Sequence, residues 1–254
     1  MTTTVRTTAV KRTPMSSLRK TALVAGALYV ITFAASIPAV LLLSPVLSDS
    51  NYIVGPGADT QVLWACFLDV VNALACIGTA VALFPVVRRQ SEALALGFVT
   101  TRLFEAAVIV IGVVSLLAVV TLRQAGAAGG DGASLVTAGQ ALVAVRDWTF
   151  LFGPNLMAAL NALLLGTLMY RSGLVPRVIP LLGLIGAPLL LAVTIATLFG
   201  ITEHGSPWWI AVAPIFVWEL SLGVWLVIKG FKPSPITTGM AARTSPPAYQ
   251  GVDA

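Results

Sequence analysis

The chain has 254 residues, 57% of them hydrophobic and only 10% charged, and its mean hydropathy is +0.94. Soluble domains carry about 25% charged residues, so this composition excludes a soluble protein, a mainly disordered one, and any sizeable catalytic domain outside a membrane. The net charge of +5 does not imply a nucleic-acid partner: Arg6, Lys11, Arg12, Arg19 and Lys20 cluster directly before an apolar run, which is a membrane-topology signal and suits anionic lipid headgroups.

Residues 1–16 are rich in Thr, Arg and Lys, and residues 233–254 hold four prolines with Ser, Thr and Gly; both read as disordered tails. Between them lies one membrane domain, 17–232. A helix needs about 20 apolar residues to cross a hydrocarbon core, and such runs occur near 22–43, 62–86, 98–122, 148–170, 178–200 and 210–228. The expected fold is therefore all-α, a bundle of six transmembrane helices. The first run could pass for a secretory leader ending at Ala34-Ala35-Ser36, but apolar sequence continues through Ile37 to Leu43, so a retained anchor is expected.

With the amino terminus in the cytoplasm, the inner loops and tails collect nearly all basic residues, including Arg88, Arg89, Arg171, Arg177, Lys229, Lys232 and Arg243, and the outer loops receive Arg123 alone. The positive-inside rule thus predicts both termini on the cytoplasmic side of the membrane, with Trp64, Trp208 and Trp209 at the outer interface. The outer segment 123–147 opens with a glycine-rich stretch, Gly126 to Gly132, and continues as Ala133 to Val145. That stretch is too short to span and reads as an interfacial or re-entrant helix running into the fourth span. Gly153-Pro154 should kink that span, whereas Pro38, Pro180, Pro188 and Pro214 are ordinary for membrane helices. Small residues four apart (Ala22 and Gly26; Gly78 and Ala82; Ala158, Ala162 and Gly166; Gly183 and Ala187) mark close helix seams. No internal repeat is evident.

Chemistry-bearing residues are sparse. Cys66 and Cys76, ten residues apart in one span, are separated by roughly 15 Å along a helix and cannot pair within it; both read as packing residues. His204 is the sole histidine and reads as a solvated loop residue. Span Ser and Thr residues lack a His or Lys partner for hydrolase chemistry. No catalytic residue, cofactor or metal-ligand spacing is expected.

What stands out is charge inside the spans. An ionisable residue at a helix centre costs about 2.5–3.5 kcal/mol and should face the bundle interior. Glu219 lies near the middle of its span. Counting inward from the outer ends at 1.5 Å per residue puts Asp69 roughly 10 Å, Asn72 roughly 15 Å and Glu219 roughly 14 Å deep. With Arg146 and Asp147 at the outer mouth of the fourth span, these residues form a candidate outer polar cluster, and Arg146 is the expected partner of Glu219, with Arg102 the alternative if the third span sits deeper. Arg102 and Glu105, i and i+3 on one face, form a separate pair at the cytoplasmic end of the third span. Asn155 and Asn161 read as interhelical glue.

The combination Arg102-x-x-Glu105, Arg146-Asp147-Trp148 to Gly153-Pro154, Tyr170-Arg171-Ser172-Gly173-Leu174-Val175-Pro176-Arg177, and Trp218-Glu219 leading to Lys229-Gly230-Phe231 resembles the bacterial membrane family called domain of unknown function four-three-eight-six, over roughly residues 18–232. Gly173 departs from the polar or basic residue expected there. The resemblance implies a small bacterial integral membrane protein of about this helix count and no particular activity. From the residues themselves, the leading expectation is handling of a small solute or ion, linked to protons, with Glu219 and Asp69 as the exchangeable acids. The competing one is a scaffold or sensor subunit that docks a membrane protein or a second copy through its small-residue faces.

Overall fold

The structure, a computed structural model, describes residues 15–126, 132–203, 210 and 212–238. The tails 1–14 and 239–254, the glycine-rich 127–131, and His204, Trp208 and Trp209 lie outside the described residues. The regular elements are all helical, in the order α1 (Ser17–Leu42), α2 (Ser44–Ser48), α3 (Asp59–Val87), α4 (Glu92–Gly126), α5 (Gly132–Phe150), a π-helical segment (Leu151–Met157), α6 (Ala158–Ser172), α7 (Val178–Leu198) and α8 (Ala213–Ile228). Local chemistry sets several of their ends. Ser16 Oγ accepts the Arg19 backbone N–H at 3.3 Å and starts α1. Gly173, at φ +66°, closes α6 in the left-handed region that disfavours other residues.

Five helical runs are long and apolar enough to cross a membrane: α1, α3, α4, the run Gly132–Ser172 and α7. The sixth expected span is a shorter apolar helix of 16 residues, α8. One boundary differs markedly from expectation: helix α4 begins at Glu92 rather than near 98 and runs 35 residues, roughly 52 Å. The segment 133–147, expected to run into the fourth span, is continuous with it in one run of 41 residues. Pro154 has no N–H to donate and crowds the carbonyl one turn back. Widening to i→i+5 pairing absorbs both faults, so the expected kink takes the form of a π-helical segment without ending the helix.

Helices α1, α3, α4, α6, α7 and α8 close a ring, α1 packing on α3 and α8, α4 on α6 and the π segment, and α7 on both α6 and α8, while α5 packs on α4 and the π segment. The small-residue stripes are seams within this ring. A Cβ on Gly26 would stand 2.7 Å from the Gly223 carbonyl oxygen of α8, and one on Gly183 would stand 2.8 Å from the indole of Trp218. Only hydrogen-sized groups let those helices approach so closely.

Two large packed cores lie along the bundle, with a small cluster of Ala73, Cys76, Ala106 and Ile109 besides. The larger includes Tyr29, Leu83, Phe98, Leu168 and Trp218; the other joins Leu43, Val46, Ile53, Leu116 and Val120 at the opposite end. At that second end Asp59 is held by Arg123 Nη1 (2.6 Å) and the Tyr52 hydroxyl (3.1 Å), and Arg123 Nη2 also donates to the Gly55 carbonyl (2.9 Å). Burial first, and the hydrogen bond to Asp59 next, push the Tyr52 phenol up to about 12. At the first end Arg19 donates to the carbonyls of Leu226, Val227 and Ile228 that α8 leaves unpaired. Residues 233–238, expected as the start of a tail, lie on the body there. The Lys232 N–H donates to the Leu174 carbonyl (2.7 Å), and Ser234 Oγ to the Ser172 carbonyl (2.5 Å).

Candidate functional site

Between the two cores is a cavity of about 380 Å³. Its polar wall is built by helical periodicity. Asp69, Asn72 and Cys76 on α3, and Arg102, Glu105 and Ile109 on α4, share the spacing i, i+3, i+7 that places three side chains on one helix face. Arg146 of α5, Asn155 of the π segment and Glu219 of α8 add to this polar lining, with the hydroxyls of Thr32, Ser36 and Thr149 beside them. The residues expected as an outer cluster and a separate inner pair therefore face one space. The separation came from starting the third span at 98. Because α4 starts at Glu92, Arg102 lies ten residues in, roughly 15 Å from the helix end, level with Glu219.

Arg102 is the hub of the inner half and is 2% exposed. Its Nη2 donates to Glu219 Oε1 at 2.7 Å and its Nη1 to Glu105 Oε2 at 3.1 Å. Nη1 also approaches Cys76 Sγ at 3.6 Å, and the guanidinium lies 5.1 Å from the Tyr29 ring centre and 5.9 Å from that of Phe98. Two carboxylates and two aromatic faces together offset the cost of removing this charge from water. The expected Arg146–Glu219 pair is thus replaced by Arg102–Glu219, since α8 reaches α4 across the ring while Arg146 is taken by another acid. Glu105 is further committed, accepting from Asn161 Nδ2 at 2.7 Å; Asn161 also pairs with Thr101, the interhelical role expected for it. Glu219 retains more access, its side chain 17% exposed.

In the other half Arg146 Nη2 lies 3.5 Å from Asp69 Oδ2, an ion pair too long for a hydrogen bond, and its guanidinium sits 4.9 Å from the Phe150 ring centre. Asn72 accepts a weak contact from Cys76 Sγ at 3.9 Å. Both cysteines are free and buried. Asp147 does not join the cluster. One residue along a helix is a turn of about 100°, so while Arg146 points inward Asp147 is exposed and faces a groove shared with Val46 to Ile53.

Two features escaped the sequence reading. Asn155, read as glue, has its Nδ2 buried without a hydrogen-bond partner while lining the cavity; a polar group opposite a helix break carries no signature of what it faces. Tyr29, at the middle of α1, does carry one in retrospect, because tyrosine in membrane helices belongs at the interfaces. Among the described residues no three His, Cys, Asp or Glu side chains gather closely enough to hold a metal ion.

The family model described as Domain of unknown function (DUF4386) matches residues 24–230, and the chain belongs to that family. No curated protein and no solved structure matches it significantly.

Proposed function

We propose that the chain is a bacterial inner-membrane protein that crosses the bilayer six times, both termini cytoplasmic, and binds a small solute or ion in the central cavity with proton exchange at Glu219. The observation that carries this is the charge inventory of one cavity: three carboxylates against two guanidiniums. Asp69 and Arg146 offset one another, and Arg102 offsets one of its two acids. One carboxylate remains in excess, and in a low-dielectric interior that excess is met by a proton or a cation. Glu219 is the exchangeable acid because Glu105 is also fixed by Asn161. Its proton state also bears on geometry, since the Arg102–Glu219 bond ties α8 to α4.

A scaffold that docks partners through its small-residue faces has weaker support, because Gly26, Gly166 and Gly183 are consumed in the chain's own seams. The test is solute-driven proton movement in proteoliposomes, screened over ammonium compounds, amino acids and carboxylates with an internal pH dye. The expected result is proton movement with one class of solute, absent in Glu219→Gln. Proton movement unaffected by Glu219→Gln would remove the site assignment, and none with any solute would remove the function.

A further inference from the structure

The cavity is walled unevenly. On one side the larger core closes it, with Leu83, Phe98, Leu168 and Met169 fully buried. In the half nearer Arg146 there is no packed seam between α1 and α5, since α1 lies on α3 and α8 and α5 lies on α4 and the π segment. The residues along that edge are Ile37, Val40 and Leu41 of α1 and Phe216 of α8. They line the cavity and are also 46%, 47%, 69% and 45% exposed to the outside. Apolar side chains that border a charged cavity and also face outward from a membrane-length helix make a doorway onto lipid, because an opening onto water would be lined by polar groups.

Inside the doorway Phe33 and Phe216 meet edge to face with ring centres 4.9 Å apart. Phe216 lies three positions before Glu219, on the same face of α8. Aromatic rings beside a surplus carboxylate suit a positive charge. An anion would raise the excess to two negative charges in a space that offers no third cation. The other groups facing Glu219 are Arg102 and Glu105 of α4, Tyr29 of α1 and Cys76 of α3. Across the cavity Asn155 contributes a polar amide to the lining, its Nδ2 buried without a hydrogen-bond partner.

We propose that the ligand is an amphiphilic monovalent organic cation that enters sideways from the bilayer between α1 and α5 and takes the place of the proton on Glu219. This rests on the reading of the cavity as a binding site with Glu219 as its exchangeable acid. The full chain in lipid nanodiscs is titrated with four probes: tetraphenylphosphonium, dodecyltrimethylammonium, tetramethylammonium with the same charge and no tail, and dodecyl sulfate with the same tail and opposite charge. The first two should bind, each releasing one proton, and both should weaken about tenfold or more in Glu219→Gln, equivalent to 1.4 kcal/mol. Glu219→Gln keeps the Arg102–Glu105 pair, and Phe216→Ala supplies a second weakened variant that leaves every charge in place. Val40→Trp, which fills the doorway, should slow entry of the tailed cations.

Tetramethylammonium binding as tightly as the tailed cations, with Val40→Trp without effect, would overturn entry from lipid and leave the binding site standing. Dodecyl sulfate binding in place of the cations would overturn the cation class. If no probe binds while the solute screen still shows proton movement through Glu219, the inference falls alone; if both fail, the function falls with it.

Discussion

Arg102 faces two carboxylates, so the three residues of its triad are not equivalent under mutation. Removing Glu219 by Glu219→Gln leaves Arg102 with Glu105 at 3.1 Å, and the new amide still offers an acceptor oxygen; the loss should stay within about 1.5 kcal/mol, the net worth of one hydrogen bond. Arg102→Gln removes the cation that both acids face and leaves a buried carboxylate without its counter-charge, a change that costs about 3–5 kcal/mol when one partner of a buried pair is lost. Thermal unfolding of the purified variants in detergent should therefore rank Glu219→Gln near the parent and Arg102→Gln far below it. Equal losses would mean that the Arg102–Glu219 bond alone carries the triad. At this scale the sequence was informative about which residues are buried against expectation, because a charge amid apolar residues is visible without a structure. Partner choice was not, since it depends on helix starts: six residues at the beginning of α4 are roughly 9 Å of depth, enough to move Arg102 from the membrane edge to the level of Glu219.

The helices meet through glycines whose tolerance depends on what stands opposite. At Gly26 an added methyl would meet backbone, the Gly223 carbonyl oxygen at 2.7 Å and the Val227 nitrogen at 2.7 Å, and at Gly183 it would meet the Trp218 indole at 2.8 Å. Neither can yield without moving a helix, so Gly26→Ala and Gly183→Ala should each cost about 1–3 kcal/mol through overpacking. At Gly78 the nearest atom is Leu28 Cδ1 at 2.8 Å, the far end of a flexible side chain. Gly78→Ala should then be neutral or stabilising, because alanine exceeds glycine in helix propensity by about 1 kcal/mol. Melting temperatures of the three variants in one detergent check the order; a loss at Gly78 matching that at Gly26 would show the α1–α3 seam to be as rigid as the α1–α8 seam. Element type was readable from apolar run length, and Gly153-Pro154 marked the irregular turn. What could not be read was how the helix passes Gly153-Pro154, because a π-helical segment preserves helix where a proline ordinarily argues for a break.

The two ends of the molecule differ in charge far more than in shape. Arg19 on the Leu226–Ile228 carbonyls, Arg89 on the Ile236 carbonyl and Lys232 on the Leu174 carbonyl bring the start of α1, the α3–α4 turn, the α6–α7 loop and the end of α8 to one end. The same end carries Lys20, Arg88, Arg171, Arg177 and Lys229. At the opposite end the Asp59 clasp holds Arg123, itself neutralised at 2.6 Å. Positive charge is retained on the cytoplasmic side during insertion, so the basic end should be cytoplasmic and the clasp should face out. Helix α4 at roughly 52 Å exceeds a hydrocarbon core of about 30 Å, and the core formed by Leu43, Val46, Ile53 and Val120 would then cap the bundle on the outer side. Single cysteines at two exposed positions, Ser50→Cys beside the clasp and Glu92→Cys at the start of α4, test this in a background where Cys66 and Cys76 are replaced by alanine. A membrane-impermeant maleimide should label Ser50→Cys in intact cells and Glu92→Cys only after permeabilisation. The opposite pattern would invert the molecule and put the doorway, which lies in the half of the cavity nearer the clasp, in the inner leaflet; labelling of both in intact cells would mean that α3 does not separate the two sides.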